Sequence, residues 1–148
     1  MTSLSTFLTL QDYTRIPLKL TLTNHFEIEA IINGIMGRFI LDTGASNTCI
    51  GINQIENFKL CFETSDIKAA GAGATDIETL MSINNTIQIG LWQKRRQKIV
   101  LFDLIHINRA LTNHNVMPVA GIIGADLLQK GKAIIDYSKK ALYLKCKS

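Results

Sequence analysis

The chain has 148 residues, the length of one ordinary domain, and no Pro-, Gly- or Ser-rich linker divides residues 1–148 in two. Hydrophobic residues make up 47% and charged residues 19% of the chain, which excludes intrinsic disorder as its general state. The net charge of +4 permits an anionic partner but lies well below that of a dedicated nucleic-acid binder, so a nucleic-acid partner is disfavoured.

Three cysteines, Cys49, Cys61 and Cys146, are an odd number without a Cys-x-x-Cys pair. They suggest neither a disulfide framework nor a thiolate zinc site, so we expect a reducing, cytoplasmic location. The first ten residues lack the basic and apolar regions of a signal peptide. No stretch approaches the ~18 apolar residues of a membrane span, so no membrane partner is expected.

The first third of the chain predicts β-strands. Period-two alternation or apolar runs mark strands over residues 17–23, 26–32 and 35–41. Asn33 and Gly34 stand between the last two, and this pair favours a type I′ hairpin turn, which needs positive φ at both positions. The third strand leads directly into Asp42.

The remainder predicts further strands and one or two short helices. Residues 67–70 and 76–89 read as a long hairpin with a tip of small residues, and residues 99–104 as a buried strand. Helices are predicted over residues 107–115 and 125–130, the second closed by Gly131. A final hairpin pairs residues 133–137 with 141–146. The predicted class is therefore mostly β.

The most informative stretch is residues 39–50, FILDTGASNTCI, in which an apolar strand delivers Asp42 into a turn. A carboxylate at the end of a buried strand is costly unless something uses it. An isolated Asp-x-Gly is more often an Asx turn that caps its own loop. A second element favours function: in residues 119–128, VAGIIGADLL, two β-branched residues precede Gly124 and a short helix follows.

These elements resemble the retropepsin-like aspartic proteases, the family of the retroviral proteases and their single-domain cellular relatives. The resemblance covers roughly residues 18–144 and includes the order of the parts: a hairpin leading to Asp42-Thr43-Gly44-Ala45-Ser46, a glycine-tipped hairpin where the family has its flap, then Ile122-Ile123-Gly124 and a helix. It implies a single half-barrel acid-protease domain. The arginine that often follows the glycine in retroviral members is replaced by Ala125, so any ion pair of that arginine is absent.

The resemblance also implies an aspartic endopeptidase that hydrolyses polypeptides as a homodimer without metal or other cofactor. This chemistry needs two carboxylates about 3 Å apart that share one proton. The chain has one Asp-Thr-Gly, so the second carboxylate would come from another copy across a twofold axis. The family pattern makes Asp42 the catalytic acid and base, gives Thr43 a hydroxyl that braces the two loops, and lets the Gly44 backbone approach the carboxylate.

The same resemblance implies supporting roles for other residues. Those around the loop would hold it rigid: Ala45, Ser46, Ile122, Ile123 and Gly124. Where relatives have Ser or Thr at the position of Ala45, the hydroxyl can donate to the carboxylate, which alanine cannot do. The flap tip would bind substrate as an added strand and consists of Ala70, Gly71, Ala72, Gly73 and Ala74. From composition alone an ordinary exposed hairpin end is an equally good interpretation, and only position favours a flap.

Three further features favour plain structural roles. A basic run next to Trp92 could bind nucleic acid, but four charges between two strands are more often a solvated hairpin turn; the run is Lys94, Arg95, Arg96 and Lys98. The three histidines show no metal-ligand spacing. Cys49 has no histidine near it in sequence and reads as a small core residue rather than a nucleophile.

Two rival functions remain open. The stretch LDTGASNTC is also similar to the first phosphate loop of the actin-like ATPases, although one domain without a second phosphate loop argues against a nucleotide hydrolase. The fold could instead serve as a dimerisation or peptide-binding module with weak or no catalysis. The intact Asp-Thr-Gly disfavours that alternative.

Overall fold

The computed structural model describes residues 2–64 and 79–146, and within these ranges the chain forms two β-sheets and three α-helices. In chain order the elements are α1 (Leu4–Leu10), β1 (Tyr13–Pro17), β2 (Lys19–Leu20), β3 (Phe26–Ile32), β4 (Ile35–Leu41), β5 (Cys49–Gly51), a 3-10 turn (Ile52–Gln54), β6 (Glu63–Thr64), β7 (Leu80–Ile89), β8 (Trp92–Phe102), α2 (Ile105–Asn113), β9 (Gly121–Ile123), α3 (Ala125–Lys130), β10 (Ile134–Asp136) and β11 (Ala141–Lys145).

The larger sheet has eight strands in the order β2-β3-β4-β9-β5-β8-β7-β6, and β3 also pairs with β7. This second pairing curls the sheet back on itself. The smaller sheet has the order β1-β11-β10, in which β11 pairs antiparallel with both neighbours. The mostly β class with short helices is therefore confirmed.

One crossing in the larger sheet positions the candidate site. Strands β4 and β5 follow each other in the chain, but β9 lies between them, parallel to β4 and antiparallel to β5. Residues 42–48 must therefore cross the end of β9. Beneath this crossing lies the main apolar core, where Phe39, Ile50 and Ile123 are fully buried.

The hairpin of β3 and β4 forms as predicted. Ile28 pairs with Phe39, and the turn residues Asn33 and Gly34 have φ of 51° and 87°, both positive as a type I′ turn requires. The Asn33 side chain also accepts a hydrogen bond from the backbone of Thr86, at 2.9 Å. The turn thus ties this hairpin to β7.

Two strand predictions are wrong in extent. The predicted strand over residues 17–23 is split, because the Leu18 N–H donates to the Lys140 carbonyl and a turn closes from Thr21 to His25. The chain passes here from the small sheet to the large one. The buried strand predicted over residues 99–104 is longer: it is the second half of β8, and Leu104 precedes α2.

The basic run is not a hairpin turn, so that interpretation is wrong. The turn lies at Gly90, whose φ is 57°, and the four cations lie inside β8. Register shifts in the pairing with β7 and a positive φ at Arg96 mark a bulge there. A bulge breaks the alternation of side chains across a strand, so four consecutive residues, 93–96, are exposed.

The helices and the final hairpin follow the sequence more closely. α3 has the predicted bounds, and α2 begins and ends two residues earlier than predicted because Asp103 accepts the Ile105 N–H at 2.9 Å. β10 and β11 form the final hairpin. α1 was not predicted, and Ser3 caps it by accepting the N–H of Thr6.

Candidate active site

Asp42 stands at the first position after β4, where the chain leaves the buried sheet. Its N–H donates to the Ile123 carbonyl at 3.0 Å, which continues the pairing of β4 with β9. Its Oδ1 accepts the Gly44 N–H at 2.9 Å, and its carbonyl accepts the Ala45 N–H at 3.2 Å. The carboxylate thus caps its own turn, as an Asx turn does, while it remains partly exposed.

A side chain at either Gly44 or Gly124 would come too close to atoms of the Asp42 loop. A Cβ on Gly44 would stand 3.3 Å from Asp42 Oδ1, tight for a side chain next to the oxygen that its N–H binds. A Cβ on Gly124 would lie 2.8 Å from the carbonyl oxygens of Ala45 and Asn47. The backbone at Gly124 therefore packs directly beneath the Asp42 loop.

Hydrogen bonds join this loop to the turn before α3. The Ala125 N–H donates to the Ala45 carbonyl at 2.7 Å. Thr48, which is fully buried, accepts the Gly124 N–H on Oγ1 at 3.0 Å. Its own hydroxyl and N–H both donate to Asp126 Oδ1, at 2.8 and 2.9 Å. We call residues 42–48 and 121–126 together the clamped loop.

Thr48 and Asp126 were missed by the sequence reasoning. Asp126 accepts three hydrogen bonds on one oxygen, the third from the Leu127 N–H at 2.8 Å. One sequence feature could have pointed to Asp126: it is an acidic residue in the first turn of a predicted helix, two positions after Gly124. Nothing local to Thr48 pointed to its partner 78 positions away.

The remaining predicted support residues are divided between two apolar clusters. Ile123 belongs to the main core, whereas Ile122 packs with Cys49 and Val100 in a smaller cluster that Ala45 also contacts. Ser46 and Thr43 are exposed. Of the predicted support residues, Ser46 is therefore the one on the outer side of the turn.

Cys49 is a core residue, as predicted, and its environment opposes ionisation. It is 8% exposed, and its thiol donates to the Asn47 carbonyl at 3.2 Å. Burial and, after it, the negative charges of Asp126 and Asp42 together raise the pKa of Cys49 to about 12. A thiol held in its neutral form is a poor nucleophile.

A shallow depression of about 300 Å³ adjoins the clamped loop. Its lining is mainly apolar and comes from the loop, α3, β10 and the segment between α3 and β10: Thr43, Ala125, Leu128, Gln129, Lys132, Ala133 and Ile135. We call it the Thr43 groove. A larger cavity of about 580 Å³ lies elsewhere, between β1, β3 and β4, where buried Glu27 pairs with Arg38 at 3.2 Å. Because none of the predicted site residues lines that cavity, the chemistry places the candidate site at Asp42 instead.

The predicted flap residues, Ala70 to Ala74, lie outside the described residues. Within residues 2–64 and 79–146, no group of three or more His, Cys, Asp or Glu side chains is arranged to hold a metal ion. The helices in these same ranges are too short or too polar to cross a membrane.

Comparisons with known proteins agree with this arrangement. Residues 28–127 match the family model described as aspartyl protease. No curated protein sequence matches the chain significantly. A retropepsin-like aspartic protease from Rickettsia conorii superposes with a TM-score of 0.58 at 18% identity, covering 89% of both chains. EIAV protease, in its complex with the inhibitor HBY-793, has a TM-score of 0.58 at 20% identity, covering 80% of this chain and 98% of its own. The retropepsin-like fold is thereby confirmed.

Proposed function

Because this chain belongs to the aspartyl protease family, we propose that it is an endopeptidase that works as a homodimer, with Asp42 of each chain in one shared site. The observation that carries the proposal is the clamped loop. Its turn holds Oδ1 of Asp42 on the Gly44 N–H, and Asp42 remains partly exposed at the end of an otherwise apolar strand. The rest of the loop is fixed to β9 and to the start of α3.

The reaction explains why one chain carries half a site. In peptide hydrolysis by paired aspartates, one carboxylate removes a proton from water while the other protonates the carbonyl oxygen of the scissile bond. The sequence has one Asp-Thr-Gly. A twofold axis beside Asp42 would place an identical carboxylate opposite it, since like residues face each other across such an axis.

The surroundings of Thr43 support this placement of the axis. Thr43 is exposed at the edge of the Thr43 groove, next to apolar residues of α3 and β10. β10 is an edge strand of the small sheet, paired on one side with β11. An approaching copy would meet an exposed hydroxyl, an apolar depression and a strand edge. The hairpin of β10 and β11 and the N-terminal strand are accordingly our candidates for the interface.

Substrate would lie across the two Asp42 turns beneath the flaps. The flap assignment to Ala70, Gly71, Ala72, Gly73 and Ala74 is supported by the elements on either side of them. Glu63 pairs with Met81 and Thr64 with Leu80, so β6 and β7 run antiparallel where the chain enters and leaves residues 65–78. An extended polypeptide would bind by main-chain hydrogen bonds, with side-chain pockets giving selectivity.

The class of reaction is tested with a mixed peptide library at several pH values. Wild-type protein should cleave, and Asp42→Asn should lower turnover by at least about a hundredfold, the lower bound for removing a general acid–base group. Asp12→Asn is the matched control, because it makes the same change at an exposed position whose φ of 68° asparagine tolerates. Near wild-type turnover in Asp42→Asn would reject the proposal. ATP hydrolysis abolished by a chelator would favour the phosphate-loop rival, and peptide binding without cleavage the inactive module.

The homodimer is tested by dilution and by mixing. Specific activity should rise with protein concentration to a plateau, because a monomer has one of the two carboxylates. Excess Asp42→Asn should inhibit wild type by forming heterodimers, and Asp12→Asn should not. Full activity at dilutions where the protein sediments as a monomer would contradict the shared site.

The cytoplasmic location stays a prediction. Among the described residues all three cysteines are free, which is compatible with a reducing compartment.

A further inference from the structure

Strand β3 has partners at both ends of the edge that faces away from β4, but none at its centre. β2 pairs with Phe26 and Glu27, and β7 pairs with Ile31 and Ile32. Within residues 2–64 and 79–146, no strand pairs with residues 28–30 on this side. The chain before β2 belongs to the small sheet, and the chain after β7 turns into β8. We call residues 28–30 the open edge.

At the open edge, the backbone N–H and carbonyl of Glu29 face away from β4. In an antiparallel pair, every second residue exchanges its hydrogen bonds with the same neighbour. The Asn33 N–H donates to the Thr86 carbonyl at 2.9 Å. The Thr21 N–H donates to the His25 carbonyl at 2.8 Å. Odd-numbered residues of this segment therefore bond toward β7 and β2, so Glu29 carries one donor and one acceptor that no strand of the described chain takes up.

The open edge forms one wall of the larger cavity, whose volume of about 580 Å³ lies in the ~300–1,000 Å³ range of ligand sites. In the same cavity the carboxylate of Glu27, only 7% exposed, pairs with Arg38, which also donates to the Pro118 carbonyl at 2.9 Å. The charges of the cavity wall are therefore held in fixed positions. The rest of the lining includes six apolar residues: Ile16, Leu18, Ile28, Ala30, Ile31 and Met36.

The flanking strands limit the length of a chain that can pair with the open edge. Glu27 and Ile31 are four residues apart, about 13 Å at 3.3 Å per residue. Lys19 already pairs with Glu27, and Gln88 with Ile31, so three positions remain between them. β2 and β7 block a longer strand at both ends. The open edge therefore has room for two or three residues of peptide.

A peptide is the chemical group that matches the backbone of Glu29. One residue of a peptide has an N–H and a carbonyl at the spacing of a strand partner, so it can exchange both bonds with Glu29. β2 and β7 both run antiparallel to β3. A peptide in the same direction has its N-terminus near Gln88 and its C-terminal carboxylate near Lys19, whose charge is complementary. Its apolar side chains would contact the cavity walls.

We propose that the open edge is a second binding site, which takes a short peptide of two or three residues with apolar side chains and holds it through the backbone of Glu29 and the charge of Lys19. The site is separate from the candidate active site. Arg38, at the cavity, precedes Asp42 by four residues along β4, which is about 13 Å. The inference does not rest on the proposed activity, because every contact it uses lies outside the clamped loop.

The location is tested by following the amide resonances of the ¹⁵N-labelled full chain during titration with leucyl-leucine. The Asp42→Asn background prevents cleavage of the probe. The Glu29 amide should shift and saturate, whereas the Gly44 amide of the clamped loop should stay in place. A shift at Gly44 without one at Glu29 would assign the peptide to the candidate active site and overturn the inference. So would the absence of a saturable shift at Glu29 up to about 10 mM peptide.

The backbone contact is tested by two variants at the same position. Glu29→Pro and Glu29→Gln both remove the carboxylate, but only proline removes the N–H, and proline is tolerated at an unpaired strand edge. With the Ala30 amide as the reporter, Glu29→Pro should weaken leucyl-leucine binding about fivefold relative to Glu29→Gln. Equal affinities in two folded variants would overturn the inference.

A further measurement keeps the native backbone, in case Glu29→Pro does not fold. Lys19→Gln should weaken binding of leucyl-leucine about threefold and leave that of its C-terminal amide unchanged. Lys98→Gln is the matched control, because it removes an exposed lysine that does not line the cavity. An equal loss for acid and amide would overturn the orientation on which the inference rests. Octanoate, an apolar acid without an amide, should bind at least fivefold more weakly than leucyl-leucine. Equal affinity would assign the cavity to apolar anions and overturn the peptide site, while the proposed peptidase activity would be unaffected.

Discussion

The clamped loop and the terminal layer, formed by α1, β1, β10 and β11, lie next to each other but are held by different sets of contacts. The clamped loop is fixed by hydrogen bonds that close within the chain, such as those from Thr48 to Asp126 and from Ala125 to Ala45. The terminal layer is joined by strand pairing and apolar contacts. It leaves large apolar side chains in solvent, with Leu10 74% exposed.

For the proposed half-site, this difference separates two tasks. Positioning a carboxylate requires directional contacts, because a hydrogen-bond network in a protected environment specifies one geometry. Association requires surface that gains free energy when water leaves it, without demanding a particular direction. The monomer can therefore hold Asp42 in place before a partner arrives. In the proposed homodimer, the partner adds the second carboxylate.

The largest difference between the two regions should appear in thiol reactivity. Cys49 directly follows the clamped loop and its thiol donates to the Asn47 carbonyl of that loop, whereas Cys146 follows the terminal strand β11 and is exposed. Burial and the charges of Asp126 and Asp42 raise the pKa of Cys49 to about 12, so its thiolate fraction at pH 8 should be about a thousandfold lower than that of an ordinary exposed thiol. In native protein, iodoacetamide should label Cys61 and Cys146 rapidly and Cys49 hardly at all.

The labelling is read by peptide mass, with denatured protein as the control in which all three thiols react. Cys49→Ala should leave the rapid labelling unchanged. If Cys49 were modified as fast as Cys146 in the folded chain, the clamped loop would open readily, and the contrast between the two regions would be lost.

The second prediction compares two carboxylates that each accept backbone N–H groups. Asp126→Ala leaves the buried hydroxyl and N–H of Thr48 without their acceptor, which should lower the free energy of unfolding by about 2 to 3 kcal/mol. Asp136 in the terminal layer accepts a single exposed bond, from Lys139 at 3.1 Å. Asp136→Ala should lower the free energy of unfolding by less than about 1 kcal/mol.

Denaturant unfolding at one protein concentration measures both values, and Asp126→Asn is the graded variant because its amide oxygen can still accept. The free energy of unfolding of Asp126→Asn should lie between those of wild type and Asp126→Ala. Equal losses at Asp126 and Asp136 would show that the polar clamp does not stabilise the chain more than a surface turn does.

The same contrast explains which parts of the structure could be predicted from the sequence. The β3–β4 hairpin and α3 were predictable because their signals are local: Asn33-Gly34 fixes a turn, and Gly131 closes a helix. The Asp42 loop was predictable because its motif is contiguous. The pairing of Tyr13 with Lys145 joins opposite ends of the chain, and the Thr48–Asp126 bond spans 78 positions. Such contacts are set by the three-dimensional fold, which no local pattern encodes.

The prediction of a hairpin turn at the basic run failed for a different reason. Its four cations suggested a turn because they stand between two predicted strands, where a run of charges is usually a solvated hairpin turn. The bulge in β8 turns consecutive side chains outward instead, and Arg96 adopts the positive φ that this needs. A non-glycine residue at positive φ is uncommon, so no sequence rule would place a bulge there in advance.

The smallest expected effect concerns Ala45, at the centre of the clamped loop. Its N–H and carbonyl are already engaged with Asp42 and Ala125, so a serine placed there would keep both bonds and add only a hydroxyl. A hydrogen bond donated to an ionised carboxylate favours the ionised form. Ala45→Ser should therefore move both limbs of the bell-shaped pH profile of kcat/KM to lower pH, by about half a unit to one unit if the bond contributes ~1 kcal/mol. Ser46→Ala is the matched control: Ser46 is exposed on the outer side of the turn, and its removal should leave the profile in place. A well-folded Ala45→Ser protein with an unchanged or upward-shifted profile would mean that this side chain does not reach the carboxylate. The clamped loop would then hold Asp42 through its backbone alone, and the motif's fourth residue would have no part in tuning the reaction.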